Sequence, residues 1–133
     1  MDALEEKHNE RMIFINATDF MVNLDETIEN ILVEGGQKYI SMNVPAEVTF
    51  DGEKIEMKIK QKGSVIASGG WVLLGKDSDV QGKAEELSTG GYDITIQLKY
   101  NESILTGNPF NFKNTGIIKI ERIGEKVRVD IYE

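Results

Sequence analysis

Residues 28–50 read IENILVEGGQKYISMNVPAEVTF. Two hydrophobic periods meet inside this stretch. Ile28 and Ile31 continue a spacing of three and four residues, whereas Ile40, Met42 and Val44 fall two apart. The first spacing marks one face of a helix and the second one face of a strand. Gly35-Gly36, between them, supplies the left-handed turn that closes a helix. The chain therefore changes from α to β at this pair, and everything else is read outward from it.

Upstream, Ile13, Ala17, Phe20, Leu24, Ile28 and Ile31 share one face, with Met21 and Leu32 widening the stripe. They predict a helix over roughly residues 3–33. Asp2 can cap it, with Glu5 completing a capping box. A helix of about 30 residues is about 45 Å long, more than a small domain is wide. Its first third is polar, with Leu4 the sole large apolar residue before Met12. That third is expected to project beyond the core, either as a solvated end or as the continuation of a segment further upstream.

Downstream the pattern is β. Pro45 ends the first strand or marks it as an edge. Asp51-Gly52 suits a two-residue hairpin that sets Val48 opposite Ile55 and Phe50 opposite Glu53. SVIASGGWVLL, residues 64–74, reads as a central strand bent at Gly69-Gly70. Residues 75–91 read as a loop with one helical turn at KAEEL, and residues 101–116 as a second long loop. Between them Tyr92, Ile94, Ile96, Leu98 and Tyr100 alternate. A turn at Gly124-Glu125 closes a last hairpin, pairing Ile120 with Val129 and Ile118 with Ile131.

The expected fold is thus α+β in one domain, 1–133. A helix (1–34) packs on an antiparallel sheet of about six or seven strands in the β-rich region 37–133. The alternative is a β-sandwich with a projecting N-terminal helix. Five positions are expected to dock the helix: Ile13, Phe20, Leu24, Ile28 and Ile31.

Composition bounds the function. The 133 residues carry 23 acids against 15 bases, a formal charge of -8. Nucleic acid is disfavoured as a partner, because phosphate binding needs a basic surface. The absence of cysteine excludes a disulfide framework, a thiolate zinc site and a cysteine nucleophile. No apolar run of about 18 residues offers a membrane span, and MDALEEKHNER is polar where a signal peptide would be apolar. Abundant Ile, Lys and Glu with scarce Pro resemble a thermophile composition.

No catalytic constellation is visible, and the expectation is a non-enzyme without a cofactor. His8, the lone histidine, sits in the polar part of the helix without orienting partners. Asp77 and Asp79 are weak metal candidates. Their alternation suggests a calcium loop, but Ser88 stands where an EF-hand would need Glu. No glycine pair is followed by the Lys-Ser/Thr of a P-loop. Trp71, Phe110 and Phe112 are candidate contacts of a binding loop. Asn16 and Asn101 head glycosylation sequons that matter if the protein is extracellular.

The helix ending in Gly-Gly, the strand leading to VP and the DG hairpin lie within NLDETIENILVEGGQKYISMNVPAEVTFDGEKIEMKI, residues 23–59. This stretch is similar to the ectodomain start of archaeal type IV pilin-like proteins. GIIKIERIGEKVRVDIYE, residues 116–133, resembles their last strands more loosely. The resemblance implies a structural subunit at the cell surface. An apolar helix half would anchor it in the membrane or in a filament, with related subunits as partners, for filament assembly or adhesion. Neither that apolar half nor a processing site is in this chain. Under the resemblance the chain is then a trimmed soluble domain of the archaeal envelope. If complete as given it is cytoplasmic, and the resemblance extends to fold alone. The alternative function is a soluble β-rich module that recognises a protein or glycan through loops 75–91 and 101–116.

Overall fold

The structure, a computed structural model, describes residues 3–75 and 78–132. The proposed Asp2 cap and Asp77 lie outside them. Helix α1 spans Ala3–Glu34. Its buried line is Phe14, Ala17, Met21, Leu24, Ile28 and Ile31, at alternating steps of three and four. Ile13 and Phe20 flank that line, half-buried against the core. Gly35 and Gly36 take φ of 79° and 89°. The Gly35 N–H donates to the Ile31 carbonyl at 2.8 Å, which satisfies one of the open carbonyls at the helix end.

Eight strands follow: β1 Gln37–Phe50, β2 Lys54–Gln61, β3 Val72–Leu73, β4 Val80–Glu86, β5 Tyr92–Lys99, β6 Leu105–Thr106, β7 Phe110–Ile123 and β8 Lys126–Tyr132. They form one sheet in the order β3-β4-β5-β2-β1-β7-β8-β6. All neighbours are antiparallel except β6 and β8, which are parallel. The sheet curls into a half-barrel. This corrects the expected pilin-like α+β fold with six or seven antiparallel strands, for the sheet is larger, mixed and dominant. The sandwich alternative comes nearer, although the strands belong to a single sheet.

The curl has a local cause. β1 does not end at Pro45, nor is it an edge strand. It runs on through a register shift between Asn43 and Glu47 against β7. Proline is tolerated at such a bulge because no ladder N–H is needed from it. β2 pairs only with Glu47–Phe50 of β1. Beyond the bulge, Gln37–Asn43 pair with β7 alone. The sheet thus has two limbs, one of β3, β4, β5 and β2 and one of β8 and β6, joined by the long strands β1 and β7. The helix touches β1, β2, β4, β5, β7 and β8 from one side. The buried strand residues on that side, among them Val48, Phe50, Ile55, Met57, Ile94, Ile96, Ile118 and Ile120, complete the core with the helix stripe.

Four local expectations change. The first hairpin pairs Phe50 with Ile55 and Val48 with Met57, because the Asp51 carboxylate accepts the Glu53 and Lys54 N–H groups at 2.9 Å and opens a wider loop. Residues 64–71 form no strand, although Ser68 bridges Ala84 of β4, and only Val72–Leu73 form a strand, at the sheet's edge. Within 75–91, VQGKAEE is strand β4 where a loop with a helical turn was expected. Residues 101–116 hold β6 and the start of β7. The last hairpin pairs Ile120 with Val129 and Ile118 with Ile131, as its turn residues suggest.

Candidate functional site

The densest grouping of ionisable side chains lies where the helix meets the rim of β4 and β5. Asp25 sits beside the apolar stripe of α1 and is 1% exposed. Its Oδ1 accepts the Tyr100 hydroxyl proton at 2.5 Å, and its Oδ2 accepts the Asp79 backbone N–H at 3.2 Å. Glu29 follows one helical turn later on the same side. Asp25, Glu29 and Asp79 each bring a carboxylate oxygen within 4.8 Å of the others.

Electrostatics follow from this crowding. Burial, then the charges of Asp25, Asp79 and Glu26, raise the Glu29 carboxyl above its ordinary range. Burial and the Asp25 charge do the same to Asp79. Tyr100 is pushed upward by burial first, then by its bond to Asp25 and the surrounding carboxylates. Its phenol therefore stays protonated and donates. These three acids are the groups that could hold a hard cation. They offer one oxygen each, whereas calcium takes about six to eight ligands. Both oxygens of Asp25 already tie the helix to the sheet's rim.

A second polar junction fastens the start of the helix. The Glu10 carbonyl accepts from Gln61 Nε2 at 2.6 Å, and its carboxylate accepts the N–H groups of Lys62 at 2.6 Å and Gly63 at 3.3 Å. Lys62 also pairs with Glu6 at 3.2 Å. The first third of the helix is thus partly moored to the loop after β2, which corrects the expectation that it simply projects. Beside this junction lies an open cavity of about 410 Å³, lined by Lys7, Glu10, Arg11, Gln61, Ser64 and Val65 among others.

The sequence candidates fall in separate places. Asp79 joins the acidic group. Phe110 and Phe112 stand in β7 and pack against the core beside Phe50, not on a loop tip. Trp71 is exposed at the β3 edge, 5.0 Å below the Lys83 ammonium. His8 and Asn16 are exposed on α1, and Asn101 is exposed in the segment after β5. Leu24, Ile28 and Ile31 are buried under the sheet. Sequence reading missed Asp25, Glu29 and Tyr100. The available signal was an acid flanking an apolar helix stripe, facing a tyrosine at the end of an alternating strand.

No protein-family model, curated protein or solved structure matches the chain. Among the described residues, no helix is long and apolar enough to cross a membrane.

Proposed function

We propose that the protein is a non-catalytic structural subunit of a cell surface that assembles with other copies through its N-terminal helix. The filament or adhesion role implied by the pilin-like resemblance is the setting in which this would serve. One observation carries the reading. Leu4, Ile15, Val22 and Val33 recur at eleven, seven and eleven residues, and so line up along the helix away from its buried stripe. Leu4 and Val33 are 79% and 82% exposed, and Ile15 is exposed too. Val22, between them, is half-buried against the protein's own core, where Gly75 approaches it. Exposed apolar residues along one side of a helix, here interspersed with Arg11, Glu26 and Glu29, offer contacts to a second helix.

The test uses the absence of native cysteine. Ile15→Cys, Val33→Cys and, as a control on the exposed Lys113, Lys113→Cys would be placed in the natural gene and probed on cells with a water-soluble maleimide. Assembly protects positions 15 and 33, cross-links them between copies on oxidation, and leaves position 113 reactive. Equal labelling at all three, with the protein wholly in the soluble cell fraction, would overturn the reading.

A further inference from the structure

We propose that the protein pairs with a second copy of itself, strand to strand, through the free side of β1, about a twofold axis at Ser41. Although β1 lies in the middle of the sheet, Gln37–Asn43 have a strand on one side only. Hydrogen bonding to β7 shows which groups are left over. The Arg122 N–H donates to the Gly36 carbonyl at 3.0 Å, and Gln37 stands opposite Glu121. Lys38, Ile40 and Met42 therefore turn their backbone N–H and C=O groups to β7, and Tyr39, Ser41 and Asn43 turn theirs to the open side. All three are exposed, and among the described residues no other segment hydrogen-bonds to their backbone. The outer edges of the sheet, by contrast, are the two-residue strands β3 and β6. Short strands and edge charges guard against strand addition, and Tyr39–Asn43 has neither.

The occupant follows from register and charge. The free side runs from Gln37 to Pro45, β2 taking over at Glu47, and Ser41 is its centre. A twofold axis there sets Tyr39 opposite the partner's Asn43 and Ile40 opposite the partner's Met42, so the inward apolar faces of both copies run on. Pro45, which has no N–H to give, ends the paired stretch. The helix ends beside Gly36, carries Glu34 and has no basic residue in its last turn. In this register that end comes to the partner's Ala46. Ala46 lines a cavity of about 460 Å³ where β1 and β2 part, with Lys58, Lys60, Lys113, Glu47 and Asp93 around it. Glu47 holds Lys113 at 3.7 Å, which leaves two ammoniums facing the one carboxylate of Asp93. The other copy's Glu34 supplies the missing negative charge, once at each end of the paired strands. The pairing stands whether or not the helix line through Leu4 and Ile15 assembles.

Sedimentation of the purified chain is expected to show a dimer with a dissociation constant of roughly micromolar order. Ser41→Pro removes an N–H from the open side and none from the β1–β7 ladder. It should weaken the dimer about tenfold or more, while the monomer keeps its cooperative thermal transition. Ser41→Cys should form an intermolecular disulfide on oxidation, because residues directly opposed across strands lie within disulfide reach. Lys126→Cys, exposed on β8, should not. Lys60→Glu and Glu34→Lys should each weaken the dimer about threefold, and the double variant should regain it. Ile15→Asp, which disrupts contacts through the helix, should leave this dimer intact and so keeps the two modes of assembly apart. A monomer persisting to roughly millimolar concentration would overturn the proposal. So would a dimer that survives Ser41→Pro and gives no disulfide in Ser41→Cys. If Ser41→Pro fails to fold, the disulfide and the charge exchange decide.

Discussion

The two ends of the helix are held to the sheet by different physics. From Met21 to Ile31 the helix is fastened by apolar burial, with Met21, Leu24 and Ile28 fully enclosed. From Glu6 to Glu10 it is fastened by hydrogen bonds and an ion pair to residues 61–63, in partial contact with water. Burial of a leucine or isoleucine contributes about 1.5–3 kcal/mol, whereas a net hydrogen bond contributes about 0.5–1.5 kcal/mol. The far end should therefore open only with the whole fold, and the near end should open locally and more often. Asp25, at the boundary, combines both, being a charge that is enclosed and yet fully partnered.

Substitutions test this contrast, and the largest effect belongs to the buried end. Leu24→Asp places an unpaired charge in the core and should abolish the cooperative thermal transition, whereas Leu24→Ala should cost about 2–5 kcal/mol in denaturant unfolding. An unchanged transition in Leu24→Asp would refute docking by this stripe. Tyr100→Phe leaves one enclosed Asp25 oxygen without its donor and should cost about 1–3 kcal/mol. Glu10→Ala should cost about 1 kcal/mol or less. Its clearer sign is faster hydrogen exchange at Lys62 and Gly63, with the Leu24–Ile31 amides still protected. Lys62→Ala removes only an exposed ion pair to Glu6 and should shift stability by no more than about 0.5 kcal/mol.

Acidity gives a further handle on the boundary. The Glu29 and Asp79 carboxyls are raised in the fold. The folded state therefore binds their protons more tightly than the unfolded chain does. Their contribution is fully present below the ordinary carboxylate range and is lost as pH rises through the raised values. Asp79→Asn and Glu29→Gln should accordingly raise the thermal midpoint at neutral pH. That gain should vanish near pH 3, within about a unit of the usual aspartate and glutamate values. A gain of equal size at both pH values would place its cause elsewhere than in carboxylate repulsion.

How much could be read in advance depended on how strongly each segment's inner and outer residues differ. The helix was legible because its apolar positions are large and regularly spaced, and the last hairpin because Gly124-Glu125 leaves only one register for its isoleucines and valines. β4 was not, since its inward residues after Val80 are Gly82 and Ala84, too small to signal a buried face. Residues 64–74 misled in the opposite sense. Val65, Trp71, Val72 and Leu73 have the hydrophobicity of a central strand, yet they are exposed around an edge strand. The first hairpin slipped by two residues, an even number, so the predicted inward face of β2 survived the error. Of the acidic group, Asp79 stood out in a carboxylate-rich loop. Asp25 did not, because a charge on the margin of an apolar stripe reads as solvent-facing until Tyr100 and the Asp79 amide are seen to meet it.

The bulge at Pro45 also bears on how the chain comes to be folded at all. Because β1 leaves β2 there, its first half has no hydrogen-bonding partner except β7. The helix and the first half of β1 are synthesised before β2 to β6, and β7 and β8 only after them. A nascent chain on the ribosome must therefore carry an amphipathic helix and an unzipped strand while the five strands between are made. Closure of this limb waits on long-range pairing, the kind of contact that forms slowly. Until then it is also the stretch for which a chaperone would compete.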